Sequence, residues 1–77
     1  MDKLRASIIA VFPRTNAADI LPETLLGDIP DWDSMNSVNL LLELEEAFSV
    51  SLIDSTLQET DKVAGIIALL ASKGAIV

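Results

Sequence analysis

Ser34 is the residue of this chain best placed to take part in chemistry. It stands in the run Asp31-Trp32-Asp33-Ser34-Met35, where an acidic stretch ends and the most apolar stretch begins. Around it the usual partners of a catalytic serine are missing, because the chain has no histidine and no cysteine. The commonest general base and metal ligand are therefore absent, and Ser-His-Asp and Cys-His arrangements are excluded. Disulfides and structural zinc are excluded on the same count. The three glycines are scattered and form no phosphate loop. Asp28, Asp31 and Asp33 lack the spacing of a calcium loop. No catalytic residue and no metal ligand is assigned, and the chain is not expected to be an enzyme. Taken alone, Asp33-Ser34 ahead of an apolar run is a helix cap, worth roughly 1 kcal/mol.

The elements that would position Ser34 follow from hydrophobic spacing. Residues 2–12 predict a helix capped by Asp2, with Leu4, Ile8, Val11 and Phe12 on one stripe and Pro13 closing it. A connection from about 14 to 33 contains Asn16, Pro22, Gly27 and Pro30, which oppose regular structure. Its apolar residues Leu21, Leu25, Leu26 and Ile29 are expected to tack it onto the core.

Ser34 to Phe48 is the clearest helix. Asn36, Asn39, Glu43 and Glu46 share a narrow polar arc. Met35, Val38, Leu40, Leu41, Leu42, Leu44, Ala47 and Phe48 fill most of the rest, with Ser37 and Glu45 as exceptions. A sector this wide predicts a central helix contacted from several sides. Residues 53–58 predict a turn or single-turn helix capped by Asp54 or Ser55. Thr60 or Asp61 is expected to cap a last helix running to about Lys73. Val63, Ile66, Ile67 and Leu70 form one face of it, and Ala64, Gly65, Ala68 and Ser72 much of the other. Gly74 is placed to end it. The expectation is an all-α fold in one domain, 1–77: a small four-helix bundle of three main helices and a short third one, with a long first loop.

Composition agrees with a folded, aliphatic core. Apolar residues make up 51% of the chain and only Phe12, Trp32 and Phe48 are aromatic, which argues against disorder. Phe12 and Phe48 are assigned to the core; Trp32 either covers the core or flanks Ser34. No run approaches the roughly 18–20 apolar residues of a membrane span, and the start of the chain does not read as a signal peptide. A cytoplasmic, monomeric protein is expected. Net charge is −7, and no Lys or Arg occurs between Arg14 and Lys62. Nucleic acid is not an expected partner, since phosphate contacts need basic residues. A basic protein surface is one, although acidic balance also simply aids solubility.

The segment Asp33-Ser34-Met35, with Val38, then Leu40-Leu41-Leu42-Glu43-Leu44-Glu45-Glu46-Ala47-Phe48, resembles the acyl carrier protein family. The likeness continues through Leu52-Ile53-Asp54, which looks like the start of that family's short third helix, and through Val63 to Leu70 as its fourth. Over residues 1–30 it is architectural only. The resemblance implies that Ser34 carries a covalent 4'-phosphopantetheine, attached by a phosphopantetheinyl transferase. It further implies acyl or aminoacyl cargo held as a thioester. The cargo would pass between loading and transfer enzymes (a ligase, ketosynthase or acyltransferase) of fatty-acid, polyketide or related biosynthesis. A helix N-terminus suits the phosphodiester, because free N–H groups and the dipole favour an anion there.

By the same resemblance the second helix would dock partners, through Asp33, Met35, Asn36, Asn39, Glu43 and Glu46. Asn36 and Asn39 depart from the family's usual acids, and Met35 from its usual leucine. Ala64, Gly65 and Ala68 leave room for an acyl chain or, equally, permit close helix packing. The alternative function is a helical adaptor that binds a basic partner through the Glu43/Glu46 stripe.

Overall fold

The computed structural model describes residues 1–76. Among these the chain is all-α: helices α1 (Asp2–Val11), α2 (Ser34–Phe48) and α3 (Val63–Ser72) are joined by a long first connection and a shorter second one, with no strand. The core draws on every part of the chain. Leu4, Ile8 and Phe12 meet Leu40 and Leu44 of α2, Ile66 and Leu70 of α3, and Ile20, Leu26 and Leu52 from the connections.

In α1 the buried face is Leu4, Ser7 and Ile8. Ser7 is tolerated there because its hydroxyl donates to the Lys3 carbonyl at 2.9 Å. Met1, not Asp2, is the N-cap, and no side chain caps the helix. Asp2 lies inside the first turn, where a carboxylate favours the dipole, and pairs with Arg5 at 3.7 Å.

The first connection is ordered, as its apolar anchors predict, but the anchors differ. Ile20, Leu26 and Ile29 are buried, while Leu21 and Leu25 are exposed. Successive side chains of extended backbone point to opposite sides. Ile20 and Leu25 are both extended, so burying Ile20 turns Leu21 out, and burying Leu26 turns Leu25 out. The connection also takes over the capping of α3. The Val63 amide donates to the Thr24 carbonyl at 2.9 Å and the Ala64 amide to the Pro22 carbonyl at 2.8 Å. Neither Thr60 nor Asp61 is the cap: Lys62 holds that position without a side-chain bond, and the Asp61 carboxylate accepts from the Gln58 amide instead. Gly27 donates to the Glu59 carbonyl at 2.9 Å. A Cβ at Gly27 would come within 2.8 Å of the Glu59 Cβ, so only glycine permits this approach.

Helix α2 buries Ser37, Leu40, Leu41 and Leu44 and packs chiefly on α1. The prediction of cover on several sides does not hold: Met35 (74%), Val38 (54%) and Leu42 (58%) remain exposed. Both exceptions to its apolar sector have structural reasons. The Ser37 hydroxyl donates to the Ser34 carbonyl at 2.7 Å. The Glu45 carboxylate accepts the Leu52 amide at 2.8 Å. Ser49 closes the helix in the left-handed region, with φ 55°. Phe48 is only half-buried, beneath the Lys3 ammonium at 5.1 Å from its ring centre.

Of the turn or single-turn helix expected over 53–58, the turn is present and the helix is not. Residues 53 and 54 make a turn and 55–58 are irregular. Six residues are too few to nucleate a helix without a face to bury. Here Leu52 is buried beside them, but Ile53 is 85% exposed. Helix α3 largely matches its predicted faces: Val63, Ile66 and Leu70 are buried and Ile67 half-buried, while Ala64, Gly65, Ala68 and Ser72 are exposed. It ends one residue before Lys73. Gly74 (φ 87°) follows, with its amide on the Ala71 carbonyl and the Ala75 amide on the Leu70 carbonyl, the paired bonds of a glycine-ended helix.

Candidate functional site

Ser34 is the first residue of α2 and is exposed. Two bonds from Asp33 define the turn that presents it. The Asp33 carboxylate accepts the Asn36 amide at 2.7 Å, and the Asp33 carbonyl accepts the Ser37 amide at 2.9 Å. The amides of Ser34 and Met35 have no partner among the described residues. The terminus therefore shows an exposed hydroxyl beside two free N–H donors at the positive end of the helix dipole. The cap reading of Asp33 is correct, and it leaves Ser34 itself uninvolved in capping.

Ahead of Ser34, the chain reverses at residues 29–32. Trp32 donates its amide to the Ile29 carbonyl at 3.1 Å and stacks on Phe12, with ring centres 5.4 Å apart and planes at 17°. Half-buried there, it covers the core. Asp31 has φ 69°.

The predicted docking residues do not form one cluster around the serine. Asn36 is half-buried, and its amide group donates to the Asp31 carbonyl at 3.2 Å. Asn39 donates to the Asn36 side chain at 3.2 Å. Both asparagines are thus tied into the protein beside Ser34. Glu43 (half-buried) and Glu46 (exposed) lie on the same helix, at a rise of ~1.5 Å per residue about 14 and 18 Å further along. Neither is in an ion pair among the described residues.

What the sequence reading missed is an apolar strip on α2. Met35, Val38 and Leu42 are exposed at helical spacing, and Ile53 stands beside them. Val38, Leu42 and Ile53 border a groove of about 450 Å³ between α2 and residues 51–57. Its walls include Val38, Leu41, Leu42, Leu52, Ile53 and Leu57, and Ser37 and Glu45 give it polar points. Ser37, in the groove wall, lies one turn after Ser34 and donates to its carbonyl. The available signal was the width of the apolar sector, too wide for the few elements present to cover.

A smaller cavity of about 260 Å³ lies between residues 55–57 and α3, with Gly65 in its wall. A Cβ at Gly65 would meet nothing within 4 Å, so close helix packing is not its role. Ala64 and Ala68 line neither space.

Among the described residues, no group of three or more acidic side chains could hold a metal ion, and no helix is long and apolar enough to cross a membrane. Compared with protein-family models, curated proteins and solved structures, the chain matches none.

Proposed function

We propose that this chain is an acyl-carrier-type protein, modified on Ser34 with 4'-phosphopantetheine. The observation that carries the reading is the geometry at the start of α2. An exposed hydroxyl stands beside two unpartnered amides, while the neighbouring carboxylate of Asp33 is turned back onto the Asn36 amide. The resemblance of residues 31–48 to the carrier motif points the same way.

The residues present fit such a group. Coenzyme A is the donor, and the transferase supplies the base that removes the proton of Ser34 Oγ. The oxygen forms a bond to the phosphorus that carries pantetheine, the pyrophosphate bond breaks, and 3',5'-ADP leaves. The free amides of Ser34 and Met35 then face an anion at a helix N-terminus. The attached group supplies the thiol that this cysteine-free chain lacks. Tethering raises the local concentration of cargo at each partner's active site, and chemistry belongs to the cofactor and to the partners.

The groove suits an apolar cargo chain, and its open side lets that chain leave for a partner. Partners are the transferase and then acyl-loading and acyl-transfer enzymes. They would meet Met35, Val38 and Leu42 as an apolar contact, and Glu46 as a charge that attracts basic patches. A coenzyme A donor accords with a cytoplasmic setting. Glu43 and Glu46, neither in an ion pair among the described residues, also support a second reading, a non-catalytic helical adaptor that docks a basic partner through its acidic second helix without modification.

One experiment separates them. The protein is incubated with coenzyme A and a broad-specificity phosphopantetheinyl transferase, and its intact mass is measured. Wild type should gain one phosphopantetheine and Ser34→Ala none. Full biological activity of Ser34→Ala would favour the adaptor.

A further inference from the structure

We propose that Asp31 is a positioning residue for Ser34, held in place by Arg14 and Asn36. The inference rests on the carrier reading and names what orients its attachment site. Asp31 is one of two non-glycine residues with positive φ among those described. Ser49, the other, closes a helix, where this conformation is common. Asp31 lies three residues before the reactive serine and directly follows Pro30; it caps no α-helix, and the nearest helix end is the single 3-10 turn Leu26–Asp28, whose C-cap is Ile29. A side chain in the left-handed region is disfavoured, with Asp among the more tolerant types. Such backbone persists where its surroundings hold it.

Here both ends of the residue are held. Its carboxylate accepts from Arg14 Nη1 at 3.2 Å, reaching back to the chain just after α1. Its carbonyl accepts from Asn36 Nδ2 at 3.2 Å, on the first turn of α2. Asn39 in turn fixes the Asn36 side chain. The Asp31–Asn36 bond therefore closes a ring of chain around Ser34, and the Arg14 pair fastens that ring to the body of the protein. Trp32, stacked on Phe12, fixes the intervening residue.

Each contact is exposed and singly weak. Together they decide what fraction of molecules shows Ser34 in one orientation. For a partner that binds only that form, apparent affinity falls in proportion to the fraction present. Loss of the clamp should therefore raise KM for the carrier and leave kcat unchanged.

The test is steady-state transfer of phosphopantetheine from coenzyme A at varied carrier concentration. The variants are Asp31→Ala, Asp31→Asn, Asp31→Gly and Arg14→Gln, each with a thermal melt. Asp31→Ala should raise KM about three- to tenfold at constant kcat, as a population tax predicts. Asp31→Asn tolerates the left-handed region and should match Arg14→Gln, with a smaller rise that vanishes at high salt. A merely structural role would lower the melting temperature and leave KM alone, and that result overturns the proposal. Asp31→Gly adopts the backbone without strain and keeps the test open where Ala does not fold. If wild type takes up no phosphopantetheine, the carrier reading falls, and the clamp is judged by amide hydrogen exchange. Faster exchange at Trp32 and Asn36 in Asp31→Gly upholds it, and unchanged rates refute it.

Discussion

Gly27 and Gly65 differ in what a methyl group would meet. At Gly27 it would press on the Glu59 backbone carbonyl at 2.9 Å, and this backbone is also bonded to the Gly27 amide. At Gly65 it would meet open space on a helix, where Ala is preferred. Gly27→Ala should therefore lower stability by about 1–3 kcal/mol, the usual range for forced overpacking. Gly65→Ala should raise it by roughly 0.5–1 kcal/mol. Thermal melts of the two variants check the pair, and equal shifts would contradict the account. The residues at the site were readable in advance to different degrees. Asp33 was legible as the cap, and Ser34 as the first residue of α2, because a cap acts within three residues. Gly27 was not, because its partner Glu59 is brought to it only by folding. Asn36 and Asn39 read as open docking positions, and the turn at Asp31 is what draws them into the protein.

Among the elements, the segment 51–57 is the one held by least. Its first bond to α2 is the Leu52 amide on the Glu45 carboxylate, and it forms the outer wall of the groove. A part-buried bond to a charged group is worth about 1.5–3 kcal/mol. Glu45→Ala should release the segment locally and leave α1 and α3 intact. Hydrogen exchange measures this: the Leu52 and Ser55 amides should exchange faster while those of Leu4 and Ile8 keep their protection. Uniform loss across the chain would show that Glu45 supports the whole fold instead. The three helices were legible because 3.6-residue spacing and local stop signals are written within each segment. The shape of 53–58 and the capping of α3 were not, because the bonds that decide them come from Glu45, Thr24 and Pro22, elsewhere in the chain. The four-helix expectation came from reading 53–58 as a capped single turn of helix, and the segment buries too little to satisfy it.

For the whole molecule, under the proposed function, a net charge of −7 and an apolar strip on α2 would make two contributions to docking. Glu46 is exposed, and its charge acts over about 10 Å at 0.1 M salt. Glu46→Lys should slow transfer to a partner enzyme severalfold, chiefly in the association step, and the wild-type rate should fall as salt rises. If neither changes, docking rests on Met35, Val38 and Leu42 alone. These docking expectations depend on one proposed step, the attachment at Ser34. Fragment mass spectrometry of the protein after reaction with coenzyme A and a phosphopantetheinyl transferase tests it most directly. The account predicts one phosphopantetheine, on the peptide fragment carrying Ser34 and not on Ser37; no addition, or addition at another serine, would contradict it.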